Sequence, residues 1–349
     1  MYFATVDSGT TYSRVAVVDW WGRVIGKASV KAGVRDTAVT GSRQALRDGI
    51  QLCFDEAVSR AELQVADVGV ALAAGMISSE IGLLEVPHLT APIGVAELAA
   101  GVVKVHDTAV FPVDIPVYFI PGIKNRYDPE RISIEDVGKL DFMRGEEVQV
   151  IGLMQLGKVA APGLAAILSS HTKIVVIDAA GRIAGSITTL SGQIYEAVRS
   201  QTSIGKSIRP DDDSEEAAFA DYWDEAIVAN AFDWVRRAGI SRTFLMTRFL
   251  DVLLHRPWYE RRLFVESAIA AEDLHAIGQV DELAGGLHGK HLVLAGSPRR
   301  ARILEYLLER AGIRVSRSTV SDPDEIDSLS VHGLLAVARR AGLMEGADS

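Results

Sequence analysis

Residues 5–19 read TVDSGTTYSRVAVVD, two apolar runs joined by a turn that holds a carboxylate, a glycine and two threonines. A β-hairpin needs only one or two turn formers, and Asp7, Thr10, Thr11 and Arg14 exceed that need. Successive turn amides can converge on one anion. Glycine lets backbone approach it closely, and threonine hydroxyls add donors. A carboxylate repels phosphate unless a divalent cation lies between them, and Mg²⁺ takes carboxylate, water and phosphate oxygens together. The stretch therefore predicts a Mg-nucleotide site, with an ordinary capped turn as the plainer alternative. Asp7 would hold the metal, and Gly9, Thr10 and Thr11 would surround the terminal phosphate. Arg14 would reach phosphate or a substrate carboxylate, or form a structural ion pair.

Working outward, YFATVD, RVAVVD and RVIGKASV read as a three-strand meander, followed by a helix over roughly 40–60. VGVALAAG (68–75) reads as a buried strand running into a long Gly-, Ser- and Pro-containing loop, MISSEIGLLEVPHLTAPIG (76–94). VYFIPGI is a further short strand, and FMRGEEVQVIGLMQL opens a helix. After residue 168 a similar order begins again: HTKIVVIDAAGRIAGSITTLSG is strand, tight turn and strand, and then LSGQIYEAVRSQT starts a helix. KHLVLAGSP ends a buried strand in glycine and serine before the helix RRARILEYLLERAG; IRVSRS and HGLLAVARRAGL close the chain as strand and helix. The stretch 205–216, GKSIRPDDDSEE, reads as a mobile loop, and 217–275 as a helical insertion.

The chain has 349 residues, 36 basic and 46 acidic, for a net charge of −10. That balance disfavours nucleic acid and anionic membrane as partners. The single cysteine, Cys53, excludes an internal disulfide and a thiolate metal cluster. The apolar run GVAELAAGVVKV is broken by Glu97 and Lys104. With no basic-then-apolar start, a cytoplasmic location is expected.

Two β-led halves carry, in order, a phosphate turn, a second polar hairpin (Ser169–Lys173) and a late Gly296–Ser297 strand end. This order resembles the actin/hexokinase/Hsp70 ATPase architecture. It implies an α/β, ribonuclease H-like fold of two domains, 1–150 and 151–349, each a mixed sheet flanked by helices, with the helical insertion in the second. The middle motif, DFMRGEEVQVIG (141–152), resembles the Met-Arg-Gly-Glu-Glu-x-Gln-x-x-Gly signature of 2-dehydro-3-deoxygalactonokinases. AGMISS, VPHLTAP, FIPGI, SHTKI, TTLSGQIYEAV and LAGSPRRA resemble that family's other segments in its own order. The resemblance covers nearly the whole chain. Departures are Ser8 where the family has Trp, LSS before His171 where it has Pro-Gly-Thr, Ile174 where it has Trp, and Gln193 where it has Glu.

The resemblance implies transfer of a phosphoryl group from MgATP to the 6-hydroxyl of a 2-keto-3-deoxy sugar acid. A different sugar acid or polyol as acceptor, and an inactive nucleotide-binding scaffold, are the alternatives. Phosphoryl transfer needs positioning, charge neutralisation and a base. Adjacent helix positions diverge by ~100°, so Glu146 and Glu147 cannot share one target. Glu146 is expected as the base or a metal ligand, although glutamates in a first turn also suit the helix dipole. Arg144 is expected on phosphate or substrate, with Glu147 and Gln149 at the sugar acid. Gly75, Ser78 and Ser79 would line the sugar site. His171, Thr172, Lys173, Gly296 and Ser297 would contact the nucleotide. A homodimer through 217–275 is a further expectation.

Overall fold

A computed structural model describes residues 2–344 apart from 211, 213, 285, 286 and 288. The strands are β1 (Tyr2–Ser8), β2 (Ser13–Val18), β3 (Val24–Val30), β4 (Val68–Gly75), β5 (Leu89–Thr90), β6 (Val103–Val105), β7 (Val117–Phe119), β8 (Ile123–Lys124), β9 (Phe142–Met143), β10 (Gly163–Leu168), β11 (Thr172–Ile177), β12 (Ile183–Thr189), β13 (His291–Gly296) and β14 (Ser316–Val320). The helices are α1 (Val34–Thr40), α2 (Gln44–Arg60), α3 (Val95–Ala100), α4 (Glu146–Gln155), α5 (Ser191–Gln201), α6 (Ile204–Ser207), α7 (Ser214–Ala218), α8 (Glu225–Ala238), α9 (Ile240–Val252), α10 (Trp258–Ala284), α11 (Pro298–Arg310) and α12 (Pro323–Arg340).

The strands form a six-stranded sheet β3-β2-β1-β4-β7-β6, a five-stranded sheet β12-β11-β10-β13-β14 and a small sheet β5-β8-β9. The fold is thus α/β with mixed sheets flanked by helices, as the element order predicts. In the first sheet β1 pairs antiparallel with β2 and parallel with β4. Val6, Val15 and Val17 pack from this sheet with Ile50, Phe54 and Ala57 of α2 in one buried cluster. Cys53 lies in that cluster, fully buried, its thiol donating to the Ser13 carbonyl at 3.7 Å. Burial pushes the thiol up to about 11. Native protein should therefore not react with a thiol reagent until it unfolds; rapid stoichiometric labelling of folded protein would contradict this packing.

Two compact units are discontinuous in sequence. One comprises Met1–Pro162, Ile177–Ser186 and Asp324–Ser349, the other Gly163–Val176 and Ile187–Pro323. This differs from a cut after residue 150, because the closing helix α12 belongs to the first unit. The Gly333 α-carbon lies against Val148 of α4, and Gly152 of α4 against Leu329: a Cβ at either would stand 1.8 Å or 2.1 Å from the facing carbonyl oxygen. Two helix backbones approach this closely only where side chains are absent.

Local expectations shift in three places. The helix foreseen over 40–60 is two, α1 and α2, parted by Gly41 in a left-handed C-cap. The closing helix begins at Pro323, well before HGLLAVARRAGL. The stretch 205–216 carries helix at both ends, α6 and α7, and its Asp211 and Asp213 lie outside the described residues. Helices α8, α9 and α10 fill the foreseen insertion. Among the described residues no helix is long and apolar enough to cross a membrane.

Candidate active site

Parallel pairing sets the first constellation. Asp7 lies opposite Ala74 and Ser8 opposite Gly75, so the DSGTT turn and the AGMISS loop leave neighbouring strand ends together. On the other side Asp7 faces Arg14 in the β1–β2 register, which puts both side chains on one face of the sheet. Asp7 is partly exposed; its Oδ2 accepts from Ser330 Oγ of α12 at 3.0 Å. Desolvation raises its pKa above the ordinary carboxylate value, against the pull of Arg14. Arg14 pairs at 3.7 Å with Asp327, one turn before Ser330 on α12. Of the two roles open to this arginine, the structure shows the ion pair.

The turn itself is arranged around its carbonyls. Gly9 O accepts from Val34 N at 3.2 Å and Thr10 O from Arg35 N at 3.0 Å, at the start of α1. Tyr12 O accepts from Gly9 N at 2.9 Å. With those oxygens occupied and the Gly9 amide spent on Tyr12, partly exposed Thr10 and Thr11 are suited to presenting donors, and Gly9 to letting a ligand come close. Ser8 is different: it is fully buried, its hydroxyl 2.8 Å from that of Ser13.

The RGEE segment meets this turn through Gly145, which has φ +107°. A Cβ there would lie 3.2 Å from the Gly75 α-carbon and 4.0 Å from Asp7 Oδ1. The positive φ and the close approach both call for glycine. Helix α4 starts only at Glu146, so Arg144 stands outside the helical turn in which its spacing had placed it. Its guanidinium donates to Ser78 Oγ (3.1 Å) and to the Val86 carbonyl (2.7 Å), and lies 3.3 Å from His88 Nδ1. Gly122 of FIPGI abuts the same group, with Arg144 Cγ and His88 Cδ2 at 2.7 and 2.8 Å from a Cβ built there. Three separated motifs, AGMISS, VPHLTAP and FIPGI, therefore converge on Arg144.

Several expected roles change. Glu147 is fully buried, both carboxylate oxygens accepting from Gly145 N at 2.8 Å. It closes the turn on itself rather than facing a sugar acid, and desolvation pushes its pKa up to about 8. Ser78 and Ser79 are buried, with hydroxyls donating to Gly75 O (3.0 Å) and Met76 O (2.7 Å). Short hydroxyls in a tight turn fall back on nearby carbonyls, so these two shape the loop instead of lining a sugar site. Glu146, the first residue of α4, and Gln149, one turn on, stay partly exposed.

The second unit builds a comparable edge. Leu168 lies opposite Gly296 in the parallel β10–β13 pair, so the turn from Ser169 and the Gly296–Ser297 strand end emerge side by side. Ser169, Ser170 and Ser297 are exposed, His171 partly so. Thr172 and Lys173 are buried: the Thr172 hydroxyl donates to Asp273 Oδ2 at 3.0 Å and accepts from Arg300 at 2.6 Å, and Lys173 Nζ donates to Thr188 Oγ1. Buried polar groups take partners inside the fold. Thr172 is thereby withdrawn from the nucleotide contact expected of it, and Lys173 has an internal acceptor.

Ser330, Asp327, Asp273 and Arg300 were not legible from the motifs. Each acts on a segment far away in sequence; only Arg300 sits in a quoted motif, LAGSPRRA, and nothing in that motif singles it out. No group of three or more His, Cys, Asp and Glu that could hold a metal occurs among the described residues. The donor set around Asp7, one carboxylate amid backbone and hydroxyls, suits Mg²⁺ carried in by phosphate oxygens and water rather than a cation caged by protein.

The family model described as 2-keto-3-deoxy-galactonokinase matches residues 7–337. A protein recorded as a probable 2-dehydro-3-deoxygalactonokinase from Rhizobium meliloti (strain 1021) is 27% identical over 223 residues, 63% of this chain. The match spans 64% of that relative, less than two thirds of its length. A crystal structure from Sinorhizobium meliloti, assigned to the same kind of kinase, superposes with a TM-score of 0.69 at 22% identity, covering 97% of this chain and 98% of the other. The ADPNP-bound activator of 2-hydroxyisocaproyl-CoA dehydratase from Clostridium difficile gives 0.54 at 10% identity, covering 100% and 99%. These two likenesses speak to fold.

Proposed function

Because this chain belongs to the 2-keto-3-deoxy-galactonokinase family, we propose that it transfers the γ-phosphoryl group of ATP to the terminal hydroxyl of 2-dehydro-3-deoxy-D-galactonate, in the cytoplasm. The observation that carries this reading is the meeting of Asp7, Gly75 and Gly145 at one point, with Arg144 tying the AGMISS, VPHLTAP and FIPGI loops beside it. A carboxylate and a donor-rich turn thus adjoin a turn that ends in a glutamate.

Asp7 would hold Mg²⁺, whose chemistry is to neutralise charge on the transferring phosphoryl group. In the first unit Gly9, Thr10 and Thr11 would receive phosphate; in the second, Gly296 and Ser297 with the Ser169–His171 turn would receive nucleotide. Glu146 would accept the proton of the attacking hydroxyl, and Gln149, one turn on, would orient the sugar acid. Arg144 would act mainly by holding the acceptor loops, since Ser78, Val86 and His88 already take its donors.

A coupled assay for ADP with 2-dehydro-3-deoxy-D-galactonate tests the reading. Wild-type protein should turn over, and Glu146→Gln should lower kcat by roughly 10²–10⁴-fold, the usual share of a general base. Turnover of the variant near the wild-type rate rejects Glu146 as the base. Turnover of other sugar acids but not this one moves the acceptor.

A further inference from the structure

A turn that binds an anion through its backbone must point its carbonyl oxygens elsewhere, because each carries partial negative charge. In the Ser169–His171 turn all three are engaged. Ser170 O accepts from Gln193 N at 2.9 Å, and His171 O from the turn's own Ser169, through N at 3.3 Å and Oγ at 3.1 Å. Ser169 O differs: its donor is Arg300 Nη1 at 2.6 Å, a side chain from α11. In the Gly9–Thr10 turn the corresponding oxygens are held by backbone amides of α1. Only the second turn depends on a side chain in this way.

That side chain is itself anchored. Arg300 Nη2 donates to Thr172 Oγ1 at 2.6 Å, and the guanidinium lies 3.7 Å from Asp273 Oδ2. Asp273, buried on α10, also accepts the hydroxyls of Thr172 (3.0 Å), Thr189 and Ser191. The carboxylate therefore ties the start of β11, the end of β12 and the start of α5 to the arginine. Arg300 sits in the first turn of α11, directly after Gly296 and Ser297. One planar fork thus links the two segments assigned to the nucleotide.

We infer that Arg300, braced by Asp273, is a positioning residue that turns the Ser169–His171 loop into a receptor for a nucleotide phosphate. The inference rests on reading that loop as part of the nucleotide site. Arg300→Lys keeps the charge but loses the fork that reaches Ser169 O and Thr172 together; Asp273→Asn keeps the shape but loses the anchor. Displacement calorimetry with ADP and with adenosine, both without Mg²⁺, separates phosphate from nucleoside, and thermal unfolding verifies that each variant is folded. Either folded variant should bind ADP about tenfold more weakly or worse, with adenosine affinity within about twofold. ADP and adenosine weakening by the same factor, or neither changing, overturns the inference. Wild-type protein that binds ADP no better than adenosine overturns the assignment of the loop itself, a distinct failure.

Discussion

Asp7→Asn should lower kcat by at least 10²–10³-fold, on the order of removing a single preorganised electrostatic group, while the protein stays folded. The substitution is isosteric, so the amide can still accept the Ser330 hydrogen bond that now ends on Oδ2. What it removes is the negative charge held where the β1 end meets Gly75 and Gly145. A loss of turnover with Mg²⁺-independent ADP affinity kept within about threefold identifies a metal-binding carboxylate. Turnover within about tenfold of wild type would remove Asp7 from the chemistry and with it the proposed function. Ser330→Ala offers a graded companion: it leaves the charge and removes its tether.

The second large effect is structural. Gly333→Ala should destabilise the protein by about 3 kcal/mol or more, beyond ordinary overpacking, and lower Tm by about 6–12 °C. Its Cβ would stand 1.8 Å from Val148 O, a fixed backbone atom that cannot swing aside as a side chain would. The helices would have to part, carrying Ser330 and Asp327 away from Asp7 and Arg14, so activity should fall with stability. Gly278→Ala serves as the control. That glycine lies within α10 with nothing within 4 Å of a built Cβ, and the change should raise stability by about 0.5–1 kcal/mol through helix propensity. Equal Tm values for the two variants would show that the α4–α12 crossing is looser than described.

Both results depend on α12, which illustrates what the chain discloses locally and what it does not. Val and Ile enrichment between short turns made the meander legible, and the polar excess in DSGTT raised the expectation of a ligand-bearing turn. RGEE was legible as a helix start and as a family signature. Its internal geometry was not, because Gly145 takes φ +107° and ejects Arg144 from the helix. Spacing arguments assume regular φ/ψ, and a glycine of positive φ breaks that assumption. The serines of AGMISS misled for a related reason: a hydroxyl is as able to satisfy its own turn as to meet a ligand, and only burial distinguishes the two.

The amino-acid order alone determined most element types, the α/β class and the family, since each rests on residues close together or on motifs in fixed succession. Tertiary structure alone decided which polar groups have been consumed. It turned Glu147 inward, withdrew Thr172, and brought Ser330 to Asp7 and Arg300 to Ser169 over 323 and 131 residues of chain. The physical reason is that a hydrogen bond or ion pair is short-ranged, whereas its partners can lie anywhere along the sequence; periodicity reports which face a residue occupies, and only packing brings its partner to that face.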